Sequence, residues 1–186
     1  MNSNKISLFK KIKSKNYNIG VIGLGYVGLP LVKRFLISKN IKVFCVDNDK
    51  KKISLLRKGL SPIKSIKIDY FKKFKNRISA EYKILESVDV IIICLPTPLK
   101  SDKSPDLRYL GMCYKNLSKI DLNNKLIILE STVYPGVTKN FADQLVSQNI
   151  DYKVGKNVFF GYSPERENPG DKNFSYQTTP KVVSGD

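Results

Sequence analysis

Residues 18–28 read NIGVIGLGYVG, a short apolar run that passes straight into a glycine-spaced turn with the helix-forming LVKRFL close behind. Ile19, Val21 and Ile22 predict a buried strand, and Gly23-x-Gly25-x-x-Gly28 predicts a tight turn leading into a helix. Gly23 suits the turn itself, Gly25 lets backbone approach a pyrophosphate, and Gly28 lets helix and strand pack closely. A diphosphate would then lie on the free N–H groups at the helix start, with the backbone amides of Tyr26 and Val27 among its donors.

A glycine-rich turn alone is a weak signal, and its plain alternative is a structural turn. A second apolar strand, residues 43–46, ends in Asp47, where a dinucleotide fold puts its ribose carboxylate. Asp47 has a competing reading as the cap of a helix through Ile53, Leu55 and Leu56. As a ribose ligand it selects the cofactor, since a carboxylate would repel a 2'-phosphate by about 4 kcal/mol at about 4 Å and an effective dielectric of about 20. NAD is therefore expected over NADP. Lys50, Lys51 and Lys52 soften that preference, for one of them can reach the ribose, although three consecutive lysines also suit a solvated helix face.

The 186 residues suffice for one domain with a real core, and 41% hydrophobic content fits a globular chain. No apolar run approaches the roughly 20 residues of a membrane span, and no signal-like block opens the sequence, so no membrane contact and a cytoplasmic location are expected. Cys45, Cys94 and Cys113 show no paired or ligand spacing and are expected to be reduced and structural. Histidine is absent, so no metal site is expected and proton transfer falls to carboxylates, lysines, tyrosines or water. The net charge of +17 attracts polyanions in general. The lysines are nevertheless spread along the chain without an aromatic stacking platform, which argues against nucleic acid as a partner.

Residues 1–17 form a basic extension with Ile6, Leu8, Phe9 and Ile12 at near-helical spacing, and residues 18–186 form the domain proper. Gly59 is placed to close the helix that follows Asp47. A second basic helix is expected over 66–75, a short strand over 77–82 and a buried strand over 88–95, whose continuous apolar character implies helices on both faces. Ser104-Pro105-Asp106 resembles a helix start. A strand at 125–129, a helix opened by Pro135 and a last inner strand at 158–161 complete an alternating order, which predicts an α/β doubly wound parallel sheet. Thr97, Thr132 and Glu165 each follow a strand, so this fold brings them to one carboxyl edge, where a hydroxyl and a carboxylate can orient and deprotonate a water. From the residues alone, Thr97 is equally an exit turn and Glu165-Arg166 equally a surface ion pair.

GVIGLGYVGLPL, CLPTPL, ESTVYPGVT and GYSPERENPGD, in this order, closely resemble the NAD-binding half of the UDP-glucose/GDP-mannose dehydrogenase family. The SPER-x-NPGD form is most similar to the bacterial branch acting on UDP-N-acetylhexosamines. The resemblance implies a Rossmann-like fold and oxidation of a sugar C6 alcohol to a uronic acid, for surface polysaccharides. That oxidation takes two NAD-dependent steps and passes through a cysteine-bound thiohemiacetal and thioester. It makes Asp47 and Lys52 ribose contacts and Thr97 a cofactor contact. Thr132 and Glu165 would hold and activate the hydrolytic water, and Arg166 would place the substrate or Glu165.

Two positions depart from the family pattern: Glu167 replaces an apolar residue, and Lys64-Ser65 replaces an acidic pair. The family's nucleophilic cysteine, catalytic lysine and asparagine, and most uridine contacts belong to a second domain. The expectation is therefore a fragment that binds NAD and does not turn over alone, with a UDP-sugar substrate and a homo-oligomer belonging to the longer protein. A NAD-binding module without catalysis, or UDP-glucose or GDP-mannose as substrate, are the alternatives.

Overall fold

Successive side chains of a strand point to opposite faces, and in β1 (Asn18–Ile22) both faces are apolar. Ile19 and Val21 join one core cluster and Ile22 the other. The same division separates Val90 and Ile92 from Ile91 and Ile93 in β4 (Val90–Ile93). A sheet apolar on both faces needs helices on both, which is the architecture of the computed structural model, in which residues 3–38, 40–63, 66, 69–165 and 180–185 are described.

The remaining strands are β2 (Lys42–Val46), β3 (Ile78–Ser79), β5 (Lys125–Leu129), β6 (Val158–Tyr162) and β7 (Ser184–Gly185). The sheet runs β3-β2-β1-β4-β5-β6-β7, with the first six parallel and β7 antiparallel to β6. Strand order reverses between β1 and β4, the switch point where open α/β sheets bind ligands. Ile22 pairs with Val46 on one side and Ile93 on the other, so three strands end level there.

One face is covered by α2 (Gly28–Leu36), through Leu29, Leu31 and Val32, and by α3 (Lys50–Arg57), through Ile53 and Leu56. The other carries α4 (Arg108–Leu117) and α5 (Val137–Ser147), whose Leu110, Cys113, Leu117, Phe141 and Leu145 are buried. The expected N-terminal helix is α1 (Ser3–Lys13). Its Leu8 is buried, Ile12 packs on the α2 side, and Lys11 reaches Asp89 at 2.7 Å.

Several boundaries differ from expectation for identifiable local reasons. The cap of α3 is Asp49, whose carboxylate accepts from the Lys51 and Lys52 amides, which leaves Asp47 free for another task. Gly59 does end α3: at φ +75° it donates to Leu56 C=O while Leu60 N–H donates to Leu55 C=O, a Schellman closure. The basic helix expected over 66–75 is 3-10 over Asp69–Arg77. The strand expected over 77–82 keeps only two residues, because the Ser79 hydroxyl accepts from Glu81 N–H and turns the chain into a second 3-10 helix, Tyr82–Ser87. The strand expected over 88–95 is four residues long. Asp89 caps its start by accepting from Asn18 N–H, and Leu95 N–H donates to the Ser131 hydroxyl instead of to the ladder.

Helix α4 begins at Arg108, later than Ser104-Pro105-Asp106 suggested. Ser104 instead donates its hydroxyl to Asp102, and Leu99 pairs with Pro105 across a tight turn. The residues at the two family departures, Lys64-Ser65 and Glu167, lie outside the described residues, as does Arg166.

Candidate functional site

At the carboxyl ends of β1, β2, β4, β5 and β6 the chain encloses a cavity of about 500 Å³. Its walls include the glycine loop, Asp47 and Lys52, Thr97, Thr132 and Glu165. Of the candidate site residues within the described structure, all but Gly28, which is buried against the turn, line this one cavity.

The three motif glycines differ in the space around them. A Cβ on Gly28 would lie 1.8 Å from the Gly23 carbonyl oxygen, and one on Gly23, at φ +91°, would lie 2.5 Å from that of Cys94. These two glycines are spent on packing the helix and the turn against the strands. A Cβ on Gly25 meets no atom within 4 Å, so its bare backbone faces open cavity. Leu29 N–H already donates to Gly25 C=O, and the amides before it stand at the helix start without an intrahelical acceptor. The arrangement fits a dinucleotide: donors converge on a space that a side chain at residue 25 would fill. Tyr26 turns its ring outward, at 65% exposure, leaving the backbone as the contributing part.

Asp47 closes the far side of the loop. Its carboxylate, 5% exposed, accepts from Leu24 N–H at 2.8 Å, Asp49 N–H at 2.9 Å and Lys52 Nζ at 2.6 Å. It thus ties the glycine loop to the end of β2. A carboxylate offers roughly four acceptor positions, so about one remains for a ribose hydroxyl.

The loops after β4 and β5 are joined by two side chains. The Ser131 hydroxyl accepts from Leu95 N–H at 3.0 Å, and the Thr97 hydroxyl donates to Thr132 C=O at 2.6 Å. Thr97 therefore sets the backbone that carries Thr132. Beyond β6 the pairing continues, with Ser163 N–H donating to Leu129 C=O and Glu165 N–H to Glu130 C=O, which brings Glu165 beside Glu130.

Sequence reasoning gave no role to Glu130 or Lys181. Glu130 is buried on the cavity wall, and Lys181 reaches both of its oxygens, at 2.7 and 2.9 Å. Burial pushes the Glu130 carboxyl up, while the Lys181 hydrogen bond and charge draw it back down. Glu130 directly follows β5 and so carried the same positional signal as Thr132. Lys181 carried none, because its pairing depends on β7 folding back along β6.

All three cysteines are free and buried. Burial raises the thiols of Cys45 and Cys113 to about 12 and that of Cys94 further. Cys94 lines the cavity but is held as a thiol by its burial and by the neighbouring Glu130 charge.

The sequence model described as UDP-glucose/GDP-mannose dehydrogenase family, NAD binding domain, matches residues 17–186. The chain is 35% identical over 170 residues to Protein CapL of Staphylococcus aureus, covering 91% of this chain and 40% of that protein. It is 34% identical over 173 residues to UDP-N-acetyl-D-glucosamine 6-dehydrogenase of Pseudomonas aeruginosa, covering 92% and 40%. The crystal structure of NDP-N-acetyl-D-galactosaminuronic acid dehydrogenase from Methanosarcina mazei Go1 superposes with a TM-score of 0.81 at 26% identity, covering 100% of this chain and 42% of that one. The chain thus spans about two fifths of the length of these relatives. Fold, glycine cradle and sequence agree over the matched span: the chain belongs to the UDP-glucose/GDP-mannose dehydrogenase family, as its NAD-binding domain, with NAD as cofactor.

Proposed function

We propose that these residues are the cofactor half of a nucleotide-sugar 6-dehydrogenase that oxidises the C6 alcohol of a UDP-sugar, UDP-N-acetylglucosamine or UDP-N-acetylgalactosamine, to the uronic acid in two NAD-dependent steps. The observation that carries this reading is the single cavity shared by the glycine loop, the Asp47–Lys52 pair, Thr132 and Glu165. The names of the relatives support the sugar class.

Bound NAD supplies the electron sink for the oxidation. The amides of residues 25–28 take the diphosphate, Asp47 and Lys52 take the ribose, and Thr97 holds the loop that faces the nicotinamide end. Thr132 orients a water and Glu165 takes its proton as the water attacks the thioester carbon, the C–S bond breaks and the cysteine sulfur leaves, a general-base role suited to a carboxylate. Arg166 follows Glu165 in sequence and is assigned to substrate placement on the family resemblance. The nucleophilic thiol for the second step comes from outside these residues, since Cys45, Cys94 and Cys113 are buried and protonated. The same reading makes the 186 residues inactive alone and the complete protein a cytoplasmic homo-oligomer.

The test is turnover by the complete enzyme with each of UDP-N-acetylglucosamine, UDP-N-acetylgalactosamine, UDP-N-acetylmannosamine, UDP-glucose and GDP-mannose, followed by NADH absorbance. Two NADH per sugar with UDP-N-acetylglucosamine or UDP-N-acetylgalactosamine, and no further NADH from Glu165→Gln after the burst that ends at the covalent stage, support the reading. One NADH per sugar, or turnover confined to the last three substrates, refutes it.

A further inference from the structure

Glu130 and Glu165 leave β5 and β6 side by side, tied by the Glu165 N–H to Glu130 C=O bond of 3.2 Å. Their side chains are 7% and 11% exposed. Negative charge in so poorly hydrated a wall calls for a nearby cation. Lys181 Nζ is at 2.7 and 2.9 Å from the two Glu130 oxygens and 3.8 Å from Glu165 Oε2. Among the described residues both carboxylates line the cavity and Lys181 does not. The lysine thus stands behind the wall, delivered by the segment that enters β7.

We propose that Lys181 is a positioning residue that holds Glu130 and Glu165 together and offsets their charge from behind the cavity wall, with Glu130 gripping the ammonium and Glu165 presented to the cavity. Its consequence for catalysis rests on the reading of Glu165 as the base; the contact between the three groups does not.

The groups facing the pair agree with this role. Cys94, beyond β4, stays a thiol and adds no charge. From the β6 side the Ser163 hydroxyl supports the Glu130 carboxylate, while the Glu165 charge opposes it. Lys181 therefore opposes both burial and like-charge repulsion.

The experiment follows the side-chain carboxyl carbons of Glu130 and Glu165 by NMR through a pH titration in wild type, Lys181→Met and Lys181→Arg. In Lys181→Met the pair takes up a proton about one to three pH units higher than in wild type, and Lys181→Arg titrates near wild type. In the complete enzyme the acid limb of kcat moves up with it, KM for NAD stays unchanged, and arginine rescues. A folded Lys181→Met with an unmoved titration overturns the proposal.

Where Lys181→Met fails to fold, Lys181→Met/Glu130→Gln removes both halves of the ion pair. An acid limb restored to its wild-type position supports the proposal, and one still displaced overturns it. Glu165→Gln separates the two ideas: undiminished turnover would remove the base role, while the titration still decides the role of Lys181.

Discussion

Replacing Asp47 by alanine tests the binding role and the structural role of one carboxylate together. The side chain accepts from Leu24 N–H, Asp49 N–H and Lys52 Nζ. Leaving the buried Leu24 amide without an acceptor costs about 1–3 kcal/mol. Lys52, with 24% of its side chain exposed, regains water and adds little. The sum is about 1–3 kcal/mol, which lowers Tm by roughly 2–12 °C for a chain of this size. NAD loses a hydrogen bond to a charged group, about 1.5–3 kcal/mol, or roughly tenfold to a hundredfold in Kd.

Asp47→Asn separates the two effects, because its amide oxygen still accepts from Leu24 N–H and recovers much of the stability while the charge is gone. The bare-charge repulsion of a 2'-phosphate, about 4 kcal/mol at about 4 Å and a dielectric of about 20, is an upper bound here because Lys52 neutralises part of it. Without the carboxylate Lys52 becomes an unneutralised cation, so Asp47→Asn binds NADP at least as well as NAD. Calorimetric titration with both cofactors, alongside thermal unfolding, reads all of this. A folded Asp47→Ala that binds NAD as tightly as wild type, or a wild type that prefers NADP, removes Asp47 as the ribose ligand.

The glycines give an opposed pair: Gly25→Ala, whose Cβ meets nothing within 4 Å, unfolds near the wild-type Tm but loses NAD affinity by calorimetry, whereas Gly28→Ala loses both affinity and several degrees of Tm. Lys125 donates its buried Nζ to Glu86 C=O and Val88 C=O, and burial lowers its pKa. Its folded form releases the proton more readily than the unfolded chain, so its charge penalty fades as pH rises toward the ordinary 10.5. Lys125→Met, measured by denaturant unfolding across that window, shows a flatter rise and a lower stability by about 1–3 kcal/mol at neutral pH. Arg108 holds the Asp106 carboxyl down at about 2. The stability this gives is full above the ordinary 3.8 and is lost as pH falls through about 2, so Asp106→Asn shows a shallower acid loss in the same assay.

The features legible in the sequence are those set by local chemistry. Gly23, Gly25 and Gly28 announced the turn because each occupies a place where a Cβ is excluded or where open space is needed. Asp47 could be placed on the cavity wall because it follows an apolar strand. Thr132 and Glu165 could be grouped from the sequence because each follows a parallel strand, and parallel strands share one carboxyl edge.

Features made by long-range pairing were hidden. Lys181 lies 51 residues from Glu130 in sequence and meets it only because β7 runs back along β6. The start of α4 was misplaced because Ser104 had a better partner in Asp102 than in a helix amide, a competition that cap preferences alone do not resolve. Asp49, two residues beyond Asp47, took the capping role that the sequence had offered to Asp47.

Whether NAD occupies the cavity at the carboxyl edge is read by an amide-resolved NMR titration of the protein with NAD. Saturable shifts are expected at residues 23–28, Asp47, Thr97 and Thr132, with α1 and the far end of α5 unmoved. Absence of saturable change, or shifts gathered between α5 and β6 instead, would contradict that occupancy.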